Sequence, residues 1–159
     1  MKIEWIIDES LPDSIIRKME KAASRCTLCE EITVPCSVTV RLCDDETIEN
    51  INADCRNIRK ATDVLSFPTV SYPDGITARD CENLLRMEYD DENGCCFLGD
   101  IVISVPHIYL QAEEYGHSAD REAMYLLIHG ICHLMGYDHI LENDKKKMRA
   151  MEERILLFV

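Results

Sequence analysis

His129-Gly130-Ile131-Cys132-His133-Leu134-Met135-Gly136-Tyr137-Asp138-His139 carries three imidazoles at spacings that one divalent metal can collect. His129 and His133 are four residues apart, about one helical turn, so both rings leave the same face of a helix. Ala123, Leu126, Leu127, Gly130, Ile131 and Leu134 recur at the three-four spacing of a buried stripe, which predicts that helix. Asp120 and Glu122 fall near its start, where acidic groups suit the helix dipole. The histidines lie roughly opposite the apolar stripe and can face a cleft. Gly136 can take the left-handed conformation that ends a helix, and the turn brings His139 back as a third ligand. Three protein nitrogens leave a fourth tetrahedral position for water, the layout of a catalytic rather than a closed structural site. Zinc suits this donor set, although nickel, copper or iron(II) would accept the same ligands.

One residue type is missing. Zinc peptidases with a His-Glu-x-x-His helix use the glutamate after the first histidine as general base. Gly130 stands there in this chain and has no proton-transfer group, so a peptidase keeps its metal but loses its base.

Outward from this segment, alternation and periodicity set the other elements. Ile3, Trp5 and Ile7 predict a strand, and Ile15, Ile16, Met19, Ala22 and Ala23 a helix after Pro12. Ser37–Cys43 alternates as a strand through Val38, Val40 and Leu42. A helix follows, with Asp44 or Asp45 as its cap and Ile48, Ile51 and Cys55 inward. Asp63–Phe67 and Ile101–Val105 predict two more strands, each stopped by a proline. Then come a short helix over His107–Tyr115, the histidine helix, and a last helix with Met148, Met151 and Ile155 on one side. Ser71–Phe97 is predicted as a long, partly mobile connection whose acidic run is a solvated surface. Strands and helices mixed in this order indicate an α+β or mixed α/β fold in one domain over residues 1–159.

The formal net charge of −13 argues against bulk attraction to nucleic acid and requires any such contact to use a local basic patch. No apolar run approaches a membrane span, and Met1-Lys2-Ile3-Glu4-Trp5 lacks a signal-peptide layout, so the expected compartment is the cytoplasm. Nine cysteines, an odd number without an export signal, are expected as reduced thiols. Cys26 and Cys29 read as buried apolar positions, and Cys132 as packing on the far side of the histidine helix.

Asn52-Ala53-Asp54-Cys55-Arg56, Ala61-Thr62-Asp63-Val64-Leu65-Ser66-Phe67-Pro68, Leu98-Gly99-Asp100-Ile101-Val102-Ile103-Ser104 and the three-histidine segment together resemble the YbeY family. These are bacterial metal-dependent endoribonucleases also described as ribosomal RNA maturation factors. The resemblance implies a mixed, mostly parallel four-stranded sheet packed by about five helices, with the metal site on a central helix. It implies one zinc ion on His129, His133 and His139. It implies cleavage of single-stranded RNA and maturation of small-subunit (16S) rRNA, notably its 3′ end. The family's functional arginine maps onto Arg56. Two of the family's residues after that arginine, a glycine and a proline, are Asn57 and Ala61 here, and the Ser71–Phe97 connection is longer than usual.

From the residues, Arg56 is the natural group to meet charge on a phosphoryl oxygen, with Arg59 and Lys60 behind it as substrate-binding cations. Asp138 is expected to fix a histidine from the turn. Asp63 and Asp100 are expected at strand starts in structural roles, Glu122 too far along the helix to touch the metal, and His107 and His117 on the surface. The alternative to an RNA-cleaving enzyme is a non-catalytic ribosome-assembly factor. Its metal would be structural and its acidic surface would dock basic ribosomal proteins. A metallopeptidase is the third option.

Overall fold

The computed structural model describes residues 1–139 and 141–157. The expected strands and helices form in order: β1 Lys2–Ile7, α1 Asp13–Cys29, β2 Cys36–Cys43, α2 Asp45–Arg56 and β3 Val64–Pro68. After them come α3 Glu82–Met87, β4 Tyr89–Asp90, β5 Cys95–Ser104, α4 Val105–Tyr115, α5 Ala119–Leu134 and α6 Glu142–Leu156. The strand order is β1-β2-β5-β3. β1 pairs β2 and β2 pairs β5 in parallel, whereas β3 and the short β4 pair β5 antiparallel. The fold is mixed α+β as the alternation requires, with one strand and one helix more than the four and about five anticipated.

Both additions come from the long connection. Ala78 and Leu85 are fully buried, and Glu82 at the start of α3 accepts from Thr33 N and Oγ1 and from Val34 N. Glu88–Glu92 is exposed, so the acidic run is a solvated surface, but the segment around it is packed. β5 also starts six residues before the expected Ile101. Gly94 and Gly99 look like breakers in the sequence. Gly99 instead sits inside the strand at φ +138°, where a Cβ would meet the Phe67 carbonyl oxygen at 2.2 Å. Asp100 is therefore mid-strand, paired with Thr39 and Phe67. α1 runs on past Ala23 to take in Cys26 and Cys29, both buried. All nine cysteines are free.

The alternation along the strands decides where the site lies. Val38, Val40, Leu42, Ile101 and Ile103 point into the main core with α1 and α5. Cys43, Leu65 and Val102 point to the other face, where Ile48 of α2 covers them. α5 is buried on most of its circumference, with Leu126, Leu127, Ile131 and Leu134 fully inside. Each such side chain stabilises the fold by roughly 1.5–3 kcal/mol. Gly130 lets the helix lie close on the sheet, for a Cβ there would stand 2.9 Å from Ile101 Cγ2. The end of α2 and the middle of α5 thus reach the edge strand β3 from opposite faces. No helix among the described residues is long and apolar enough to cross a membrane.

Candidate metal centre and phosphate cleft

What remains open on α5 is a line at helical spacing: Arg121, Tyr125, His129 and His133. The helix ends at Leu134 and Gly136 turns the chain at φ +88°, with the ring of Tyr72 and the Ile76 carbonyl packed so closely that a Cβ there would sit 2.8 Å from each. The turn returns His139. One nitrogen from each of His129, His133 and His139 lies within 4.8 Å of the others.

The partners of the rings fix which nitrogen faces the cluster. His129 Nδ1 donates to Glu152 Oε1 of α6 at 2.7 Å, and His133 Nδ1 donates to the Tyr137 carbonyl at 3.1 Å. Both acceptors can only accept, so each neutral ring carries its lone pair on Nε2. Those two Nε2 atoms stand 3.2 Å apart. Burial, then the facing rings of His129 and His139, push the His133 imidazole down to about 4. It is neutral at ordinary pH, so its Nε2 lone pair is free for a cation held between the two rings. Imidazole nitrogens oriented by a carboxylate and a carbonyl suit a divalent transition metal, so the residues present fit the ion that the spacing implies.

Glu152 is the main site residue that the sequence did not reveal. It is 5% exposed and lies 23 positions beyond His129 on another helix, where no local spacing could point to it. Tyr137 is held in turn, because its hydroxyl donates to Glu30 Oε1 at 2.9 Å. Asp138 is a turn residue: its Oδ1 accepts from the His139 backbone N–H at 2.6 Å, and the residue is exposed.

Arg56 reaches the same cleft. It lines a cavity of about 260 Å³ with Thr62, Ser66, His129, His133 and His139. Its Nη2 donates to the Ser66 carbonyl at 3.4 Å and its guanidinium stands 5.8 Å from the Phe67 ring centroid. Asn57 caps α2 at φ +58°, so an asparagine makes the left-handed turn that glycine would make. Arg59 and Lys60 stand exposed in the following loop and line neither cavity at the histidines. Asp63 borders both cavities. Its oxygens are anchored by Val64 N, Thr62 Oγ1 and Gln111 Nε2.

Two histidines expected on the surface have partners instead. His107 Nδ1 meets Asp45 Oδ1 at 2.7 Å and Ser104 Oγ at 3.1 Å, tying α4 to α2. His117 Nε2 meets Glu122 Oε2 at 3.0 Å. Glu122 is buried and lies outside the metal cluster, as its distance along the helix requires. Gly130 faces β5 rather than the cleft, so this helix has no room for a peptidase glutamate.

A mixed α+β fold that carries three convergent imidazoles at a sheet edge beside an arginine defines a candidate metal-dependent centre for phosphate chemistry. The chain belongs to the endoribonuclease YbeY family: residues 6–159 match the family described as Endoribonuclease YbeY. It is 43% identical to the Endoribonuclease YbeY of Clostridium kluyveri over 143 residues, 89% of this chain and 87% of that one. It is 43% identical to that of Acetivibrio thermocellus over 155 residues, 97% and 93% of the two chains. The solution structure of TM1509 from Thermotoga maritima shares the fold, with a TM-score of 0.61 at 22% identity over 97% of this chain and 86% of that one.

Proposed function

We propose that the protein is a zinc-dependent endoribonuclease specific for single-stranded RNA, acting as one domain over residues 1–159 in the cytoplasm. Its substrate is small-subunit (16S) rRNA during ribosome assembly, notably the 3′ end, and its partners are the small subunit and its basic proteins. The observation that carries this is the shared cavity: two histidine Nε2 atoms 3.2 Å apart open onto the space that Arg56 lines. His129, His133 and His139 hold the metal. When bound, zinc supplies Lewis acidity toward a phosphoryl oxygen and toward water. Glu152 and the Tyr137 carbonyl keep the rings aimed. Arg56 binds a non-bridging phosphate oxygen and stabilises the charge that builds on it. Asp138 fixes the backbone of His139, and Arg59 and Lys60 offer exposed cations to the strand leaving the cleft.

The test is cleavage of single-stranded RNA by stringently purified protein, with elemental analysis of the same sample. Wild type is expected to hold about one zinc per chain and to cut, and His133→Ala to lose both. Equal residual cleavage by the two proteins would instead favour an assembly factor with a structural metal.

A further inference from the structure

A second, larger cavity of about 550 Å³ adjoins the first, and the two share Asp63, Tyr125, His129 and His139. Its size is that of a small-molecule pocket. It lies among α4, α5 and α6, and apart from Glu152, which anchors His129, none of its remaining groups has a part in the metal or Arg56 chemistry. We propose that this cavity is a nucleotide subsite, holding the residue next to the cleaved bond on the side away from Arg56. Tyr125 faces the base, Glu122, steadied by His117, accepts from its edge, and Lys145 with Arg149 bind its phosphate. This rests on the endoribonuclease reading above and specifies how that site selects RNA.

Three observations carry it. First, Glu122 is 2% exposed, and its Oε1 has no hydrogen-bond partner among the described residues. Its other oxygen is occupied by His117. A shielded carboxyl oxygen left unpaired is costly, and the exocyclic amino or imino group of a base supplies the kind of donor it lacks. Burial raises this carboxyl above its ordinary value, which favours a neutral ligand such as a base over a cation. Second, Tyr125 borders both cavities, with its ring centroid 6.0 Å from that of His129. Burial and the nearby Glu152 carboxylate push its phenol up to about 12, so the ring stays neutral and offers a stacking face beside the metal ligands. Bases of single-stranded RNA stack on such rings without needing a duplex. Third, Lys145 and Arg149 sit one turn apart on α6 and both line the mouth, with Arg121 across from them on α5. Like charges at this spacing repel on a bare helix. In a chain of net charge −13, these cations, Arg149 already in a 3.4 Å pair with Glu153, offset the carboxylates Asp63, Glu122, Glu152 and Glu153 of the same lining and give a phosphate local contacts there. A strand crossing the histidines would enter one cavity on each side, with cations waiting in both.

The experiment has two arms. In the first, the holoenzyme cuts a pool of single-stranded RNA with randomised sequence and the cut ends are read. Wild type is expected to prefer one base at a single position beside the cut, and Glu122→Gln to change that preference by about tenfold with zinc content retained. Lys145→Ala with Arg149→Ala is expected to raise KM by about tenfold and to flatten its salt dependence. In the second arm, nucleoside 5′-monophosphates are titrated into wild-type protein and followed by NMR. Shifts are expected at Tyr125, His117 and Lys145. An unchanged base preference in Glu122→Gln, an unchanged KM in the double variant, or shifts confined to the Arg56 cavity would each overturn the subsite while leaving the nuclease intact. If wild type cuts no RNA, the nuclease reading fails, and the monophosphate arm still decides whether this cavity binds nucleotides. The wild-type titration also stands should Glu122→Gln fail to fold.

Discussion

On one wall of the cleft, His129 and His133 each commit Nδ1 to a fixed acceptor, Glu152 and the Tyr137 carbonyl. Tyr137 is itself pinned to the buried Glu30. On the other wall, Arg56 is exposed, with one 3.4 Å hydrogen bond to Ser66 and the Phe67 ring nearby. Two of the first wall's three rings are anchored before anything binds. Metal coordination needs nitrogens placed to within a few tenths of an ångström, and only packed, hydrogen-bonded side chains hold such positions. The second wall can move. A flexible, hydrated guanidinium can track phosphate oxygens whose charge and position change during cleavage, without a permanent partner competing for its donors.

The largest effect expected from this difference is a loss of chemistry without a loss of metal. Arg56→Ala should lower kcat for single-stranded RNA by about 10²–10³-fold, while elemental analysis still finds about one metal per chain. Arg56→Lys should recover little, because an ammonium cannot reproduce the planar fork. Should metal content fall together with rate in Arg56→Ala, the two walls are not independent and the contrast between them breaks.

How far the sequence revealed each wall follows from the range of the interactions involved. His129 and His133 are readable because one helical turn fixes their relation, and His139 because Gly136 can turn the chain. Arg56 is read from its place in a basic cluster before a strand together with the resemblance. The residue type at 57 differs from the family's glycine, and Asn57 takes the αL cap, a conformation that asparagine tolerates. Glu152, by contrast, approaches His129 only after α6 packs on α5, and Glu30 reaches Tyr137 across 107 positions. The missed α3 and β4 have a related cause. Leu85 is the one buried residue of α3 and β4 is exposed throughout, so neither has an apolar period to read. Gly94 and Gly99 hid the first half of β5, since a glycine needed for close backbone approach reads like a turn.

A second prediction sharpens the anchored wall. Glu152→Gln keeps the size and one acceptor oxygen but removes the charge that strengthens the bond to His129. Metal affinity, measured by competition with a chromophoric chelator, is expected to fall by about 10–100-fold. Glu152→Ala should cost more, because it leaves a partly buried Nδ1–H with no acceptor. If Gln and Ala behave like wild type, His129 does not depend on its anchor and the first wall is no more ordered than the second.

The smallest effect is a pH dependence of the metal-free protein. His133 titrates at about 4 in the fold and near 6.5 in an unfolded chain. Between those values the unfolded state binds more protons, so this group's contribution is present above about pH 6.5 and is lost as pH falls toward 4. Glu30 and Glu122 act with the opposite sign, since burial raises both carboxyls and the folded state then takes up protons more readily. Carboxyls held low, such as Asp120 beside Lys18, act with the same sign as His133, so the informative quantity is a difference. The Tm of chelator-treated wild type minus that of His133→Ala should fall as pH is lowered through this window, because the carboxyl contributions cancel in the subtraction. A flat difference would mean that the crowded imidazoles of the metal-free cluster relax apart. The first wall would then owe its order to the metal rather than to Glu152 and Tyr137.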